Sequence, residues 1–310
     1  MSCLTPSHYK FIPFPERNPL KWPDGKRLVI FFTINCEFWP MIWEREEPLY
    51  PGGPATIPHV LPGKVPDYAN WTWREYGHRI GIWRLLEEFD RFEVPASCTI
   101  NALTALERTQ IVEALNKRGW EILCHNWSQT DILTSYADNP GKEREVISRV
   151  VEAYKNKVGR APRGWLSSSL RSTHETPHLL KELGFDFMAC YLNDDQPYMM
   201  DTRYGPMVQI PYSNDLNDFA VFSRGAMSAS GAFERFKDEF DILYEESTKS
   251  GRIMNIGLHP HVVGRGFAIK TLRLFLEYIR DFEGIWFPKR EEVSDWYAKN
   301  HETHIHPAKL

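Results

Sequence analysis

Apolar residues along this chain fall into two alternating patterns. The first is a short continuous run, RLVIFFTI at residues 27–34, β-branched and aromatic, which predicts a strand buried on both faces. The second opens with HRIGIWRLLEEFDRF at 78–92, whose apolar positions 80, 82, 83, 85, 86 and 89 recur at helical spacing. The two then alternate. Strands are predicted at 95–100, 120–124, 162–167, 185–190, 207–211, 252–258 and 285–287, and helices at 102–118, 142–157, 175–183, 231–249, 267–281 and 289–299. That order implies an α/β fold, a parallel sheet with helices outside. Seven or eight strands over about 280 residues suit a closed or nearly closed barrel. The rival, a doubly wound open sheet, usually carries a Gly-rich phosphate turn after its first strand; here strand one runs into NCEFWP.

Two stretches break the pattern. Residues 1–26 are polar and Pro-rich and read as an arm. Between 40 and 66 lie seven prolines (40, 48, 51, 54, 58, 62, 66), with Trp39, Trp43, Tyr50, Tyr68, Trp71 and Trp73 around them. Proline at that density excludes helix and central strand, and the aromatics argue against disorder. The expected organisation is an arm at 1–26, one barrel domain at 27–300 with a Pro/Trp-rich loop at 38–77 folded over a site, and a tail at 301–310.

Composition narrows the function. With 37 Lys+Arg against 41 Asp+Glu, the net charge is −4, so there is no basic excess to neutralise phosphates and no nucleic-acid partner is expected. The five cysteines are scattered and contain no C-x-x-C pair, which argues against a disulfide framework or thiolate zinc site. The longest apolar run is too short to span a bilayer, and no basic-then-apolar leader opens the sequence. A cytoplasmic protein with no membrane partner is the expectation. The unusual number is the aromatic content of 14%, including eleven Trp; such a surplus lines clefts or subunit contacts.

In a barrel of this kind, active-site groups project from the C-terminal ends of the strands. Those ends carry Asn35-Cys36-Glu37, Asn101, His125-Asn126-Trp127-Ser128, Ser167 to Arg171, Tyr191, Asn193 to Asp195, Tyr212, Asn214, Asp215 and His259-Pro260-His261. One carboxylate and two or three histidines on one rim can do acid–base work on a carbonyl. Each also has a plainer reading. Glu37 can pair with an arginine, each histidine can be satisfied by backbone groups, and Arg171 can pair with the acids at 194–195. Arg79 sits at a helix start, where a cation is unfavourable for the helix dipole, which marks it for a substrate oxygen instead. Trp127 and Trp165 are either core or pocket wall. The tail histidines His301, His304 and His306 receive no role.

The segments VIFFTINCE, EYGHRIGIWRLL, GWEILCHNWS, GWLSSSLRST, NDDQPY and IGLHPHVVGR occur in the order found in the polysaccharide deacetylase (NodB-homology) superfamily. The chain most resembles its allantoinase-like branch, similar to cyclic-imide hydrolases, over residues 27–297. The resemblance implies a distorted (β/α)7–8 barrel, hydrolysis of a non-peptide C–N bond, and a homo-oligomer, frequently a tetramer. It also exposes departures. Metal-dependent members carry two aspartates after strand one and H-[ST]-x-x-H after strand three. Here these positions read Asn35-Cys36-Glu37 and His125-Asn126-Trp127-Ser128-Gln129. A divalent ion such as Zn²⁺ would keep only Glu37 and His125, two ligands where three protein ligands are the norm. The late family histidine is His259, or His261 one step on.

The expected catalytic set is therefore Glu37, His125 and His259, with no metal assigned. Asn35, Arg79, Trp127, Ser128, Trp165, Arg171 and His261 are candidates for holding the substrate. Glu37 would take a proton from water, its pKa raised toward neutrality by burial among tryptophans, and His259 would protonate the leaving nitrogen or polarise the carbonyl with His125. An activated ring amide needs less electrophilic help than a glycan acetamide, so a small cyclic amide, imide or ureide is the expected substrate. The alternatives are a metal-dependent de-N-acetylase of a glycan or peptidoglycan fragment, and a non-catalytic binding barrel.

Overall fold

All nine residues of β1 (Leu28–Cys36) are buried, and they alternate strictly between two environments. Leu28, Ile30, Phe32, Ile34 and Cys36 pack under the surrounding helices, while Val29 and Phe31 belong to a separate cluster inside the sheet's concave face. This is the period-2 alternation of a strand covered on both sides. The computed structural model describes residues 7–43 and 60–306.

After β1 come α1 (Tyr68–Tyr76), a π-turn at Gly77–Gly81, α2 (Ile82–Phe92), β2 (Ser97–Ile100), α3 (Ala102–Glu107), α4 (Thr109–Lys117), β3 (Glu121–Cys124), α5 (Pro140–Val158) and β4 (Gly164–Trp165). Then follow α6 (Thr176–Glu182), β5 (Phe187–Met188), β6 (Tyr198–Thr202), β7 (Gly205–Gln209), α7 (Ala229–Glu246), β8 (Arg252–Leu258), α8 (Ile269–Ile279), β9 (Ile285–Trp286) and α9 (Arg290–His304). The sheet order is β6-β7-β5-β4-β3-β2-β1-β8, with β9 also on β1. Every pairing is parallel except β6 with β7. The result is a mixed sheet curled into a half-barrel with helices outside. Across its open side the links are short: Ile253 N–H donates to Asp195 O at 2.8 Å, and Asn217 bridges Gly257.

The structure departs from the sequence pattern in several places: the strand expected over 162–167 shortens to Gly164–Trp165, and α9 runs on to a buried His304, inside the segment expected as a tail at 301–310. The helix expected from 78 begins at Tyr68 and passes through the π-turn; the one expected over 102–118 breaks at Arg108. The strand expected over 185–190 shortens to Phe187–Met188, and the edge strand β6 was not foreseen. The Pro/Trp-rich loop lies in part at 44–59, outside the described residues. The four described cysteines, Cys36, Cys98, Cys124 and Cys190, are buried and free. Among the described residues no helix is long and apolar enough to cross a membrane.

One polar group fixes the floor of the barrel. The Glu121 carboxylate accepts from the backbone N–H of Arg290 (3.0 Å) and Glu291 (2.8 Å) and from Ser97 Oγ (2.7 Å), acting as an N-terminal anion for α9. Arg290 is itself buried, over the Phe31 ring, donating to Thr33 and Asn255. Glu121→Ala is expected to cost about 3–5 kcal/mol, because it strands a buried cation and frees two helix N–H groups. Urea unfolding measures it; a loss below about 1 kcal/mol contradicts this account of α9.

Candidate active site

The alternation that buries β1 also builds the site. Going up its concave face, Val29 and Phe31 are followed by Thr33, Asn35 and then Glu37 just beyond the strand end. On β3 the same face carries Leu123, then His125; on β8 it carries Ile253, Asn255, Gly257, then His259. The inner face is thus apolar at mid-depth and polar at the mouth. Continued past the strand ends, the parallel register sets Glu37 level with His125, and His259 one step lower, level with Asn35. Glu37 Oε1 stands 3.6 Å from His125 Nε2 and 3.5 Å from His259 Nε2.

Each imidazole is held at its other nitrogen. His125 Nδ1 lies 2.5 Å from the Leu166 carbonyl; a carbonyl only accepts, so Nδ1 carries a proton, and in the neutral ring Nε2 is the lone pair. That Nε2 is buried without a hydrogen-bond partner. His259 Nδ1 lies 2.6 Å from Asp218 Oδ1, while Asp218 Oδ2 accepts from the backbone N–H of His259 (2.7 Å) and Val263 (3.1 Å). Asp218 is wholly buried. The sequence reading missed it. It lies just ahead of the π-turn at Phe219–Arg224, outside any strand pattern.

Charge follows from these partners. Burial alone disfavours a protonated His259, but Asp218 and then Glu37 raise it well above the ordinary imidazole range. Burial likewise pushes Glu37 up, yet the charge on His259 holds it well below the usual carboxylate range. The expectation of a Glu37 raised toward neutrality is therefore corrected: the neighbouring imidazolium outweighs desolvation. His261 is driven well below its ordinary value by burial and by the charge on His259, and its Nε2 also lacks a partner.

These groups line a cavity of about 200 Å³ with Asn35, Trp39, Gln129, Leu166, Ser167, Ser169, Leu170, Tyr212, Asn214, Asn217, Phe219 and Arg224. Asn35 is fixed by Thr99 Oγ1 (2.9 Å) and Tyr212 OH (3.3 Å). Tyr212 reaches it only because residue 257 is glycine, where a Cβ would fall 2.2 Å from the Tyr212 hydroxyl. A larger cavity, about 950 Å³, lies between the arm and α9 and is lined by neither Glu37 nor His125 nor His259.

Of the ten residues expected at the site, Asn35, Glu37, His125, His259 and His261 line the cavity; the other five do not. Trp165 registers with outward-facing Cys124 and is buried against Phe185, donating to Ser167 Oγ at 2.9 Å. Asn126 adopts φ 55°, which turns the chain after His125. Trp127 then lies under the Arg149 guanidinium, and Ser128 meets Thr130. Arg79 is exposed because the π-turn changes the helix phase there. Arg171 is exposed too, and the partner of Asp194 is Arg17, at 2.6 Å. Trp39 is the tryptophan that lines the cavity, so the surplus walls the site less than its sequence positions suggest.

A zinc ion would need three of these donors at tetrahedral spacing. Tetrahedral ligand atoms with bonds near 2.0–2.1 Å lie about 3.4 Å apart. Glu37 meets that distance to each histidine. The third edge does not close: among the described residues, three His, Cys, Asp or Glu ligand atoms mutually within 4.8 Å occur at His8, His174 and His178, not here. Gln129, at the second family histidine, offers a buried neutral Oε1 without a partner. The residues present do not fit a preformed three-ligand zinc centre.

No family model matches the chain. It is 27% identical to the "Putative polysaccharide deacetylase" of Schizosaccharomyces pombe over 312 residues, covering 92% of this chain and 94% of that protein. The crystal structure of a probable polysaccharide deacetylase from Pseudomonas aeruginosa superposes with a TM-score of 0.80 at 27% identity, covering 94% of this chain and 95% of that one. The structure of Puue allantoinase gives 0.80 at 26% identity with the same coverages. In sequence and fold, the chain is thus similar to polysaccharide deacetylases and shares the NodB-type barrel of its structural neighbours, an allantoinase among them.

Proposed function

We propose that this chain, a hydrolase of non-peptide C–N bonds, opens a small cyclic amide, imide or ureide by water attack on the carbonyl, without an essential metal. The observation that carries this reading is the Glu37 carboxylate set between two imidazole Nε2 atoms whose rings are held differently, His125 by the Leu166 carbonyl and His259 by the buried Asp218 carboxylate. The small cavity supports a small substrate, since drug-sized ligands occupy about 300–1,000 Å³. The allantoinase neighbour supports a ring ureide as the substrate class.

The steps follow from the protons. Water bound between Glu37 and His125 gives its proton to His125 Nε2 as its oxygen bonds to the carbonyl carbon. His259 Nε2–H then passes its proton to the ring nitrogen, the C–N bond breaks, and the carbonyl carbon leaves as a carboxyl group. The proton gained by His125 returns to His259 across Glu37, which faces both. Glu37, held ionised, is a weak base; its work is to orient water and balance the imidazolium. Asn35, which lines the cavity beside Glu37, is the candidate neutral donor to the developing charge.

A screen of cyclic imides, ureides and N-acetyl sugars tests the reading. Turnover is expected on a small ring and should survive dialysis against EDTA. Complete loss with EDTA, restored by Zn²⁺, or turnover confined to N-acetyl sugars, would replace this reading with metal-dependent de-N-acetylation.

A further inference from the structure

Away from the barrel mouth, three histidines from distant parts of the chain meet. His8 lies in the N-terminal arm, His174 just before α6, and His178 within it. Their ring centroids are 4.5, 5.0 and 5.9 Å apart, and one nitrogen from each lies within 4.8 Å of the others. We propose that His8, His174 and His178 form a binding site for a divalent transition metal, Zn²⁺ by the chemistry of the donors, which ties the arm to α6.

The geometry carries this in three ways. The arm is already positioned, because the His8 carbonyl accepts from Asp201 N–H at 2.7 Å. The His8 ring is oriented, because its Nε2 lies 2.8 Å from the His174 carbonyl. A carbonyl can only accept, so the His8 proton is on Nε2 and Nδ1 carries a lone pair. That Nδ1 is buried and has no hydrogen-bond partner, in a residue only 2% exposed. A buried lone pair without a partner is costly and calls for an explanation; a metal ion supplies one.

The surroundings suit the ion. Three imidazoles match zinc and leave a fourth position for water, and the exposed His174 side gives an entry path. The nearby acid Glu175 is paired with Arg203, so the donor set is neutral. His178 Nδ1 accepts from Arg203 N–H at 3.1 Å. Ligation through His178 displaces that contact and gives up one hydrogen bond, against three coordinate bonds gained. This site shares no residue with the Glu37 site and does not depend on the reaction proposed there.

The test uses the full chain stripped of metal and titrated with Zn²⁺ against a chromophoric chelator, with Co²⁺ spectra as a second readout. One equivalent is expected to bind, and the Co²⁺ bands should show nitrogen ligation. His174→Ala removes an exposed side chain and leaves the fold intact by circular dichroism. It should weaken binding at least 100-fold, as should His178→Gln, while Glu37→Gln and His125→Ala bind like wild type. Failure of the wild type to retain one equivalent, unchanged affinity in His174→Ala, or loss of the equivalent in Glu37→Gln would overturn the proposal.

Discussion

Glu37→Gln is expected to lower kcat about 10³-fold on the ring substrate, within the range for losing acid–base function. The side chain keeps its size, and Asp218 still offsets the charge of His259, so stability should stay within about 1 kcal/mol of wild type. Two things are lost together. The carboxylate that helps hold His259 protonated is gone, so the leaving nitrogen meets a poorer acid. The amide also cannot face both Nε2 atoms as an acceptor, so the proton taken by His125 has no short route back. Steady-state kinetics with ligand binding measured separately checks this. A binding barrel without catalysis would keep its affinity and have no turnover to lose; a variant retaining more than a tenth of wild-type kcat would remove Glu37 from the mechanism.

The three central residues were legible in the sequence for a definite reason. Strand ends can be found from apolar runs, and a period of two assigns their inner face once a single position is known. Glu37, His125 and His259 follow β1, β3 and β8 by the step that continues that face. The same rule misled wherever the chain stopped being a strand. Positive φ at Asn126 turned Trp127 and Ser128 away, and a π-turn rotated Arg79 to the surface. Trp165 follows Cys124 outward through strand register, which becomes readable only when pairing is known. Asp218 left no periodic trace, because its place is set by two backbone N–H groups on the β8 turn. The arm's contact with α6 was equally hidden, since nothing local to His8 announces residues 174 and 178.

Asp218→Asn should lower kcat about 10²–10⁴-fold and leave a signature that a merely structural change would not. In the native site, Asp218 Oδ2 takes the backbone N–H of His259 and Val263, and Oδ1 takes His259 Nδ1. The two backbone donors hold the single oxygen of asparagine at the Oδ2 position, so its NH₂ faces Nδ1. A donor there forces Nδ1 to be a lone pair, which makes His259 a neutral imidazole with its proton on Nε2. Its capacity as an acid falls while its position is kept. The sign of the pH effect follows. Asp218 raises the His259 pKa, so the native imidazolium persists to high pH, and the alkaline limb of kcat marks its loss. Without the carboxylate that pKa drops, and the limb must move to lower pH. The ¹⁵N shifts of the His259 ring report the protonation state directly, independent of turnover. An alkaline limb that stays in place, with His259 still doubly protonated at neutral pH, would show that the acid in this site is held by something other than Asp218.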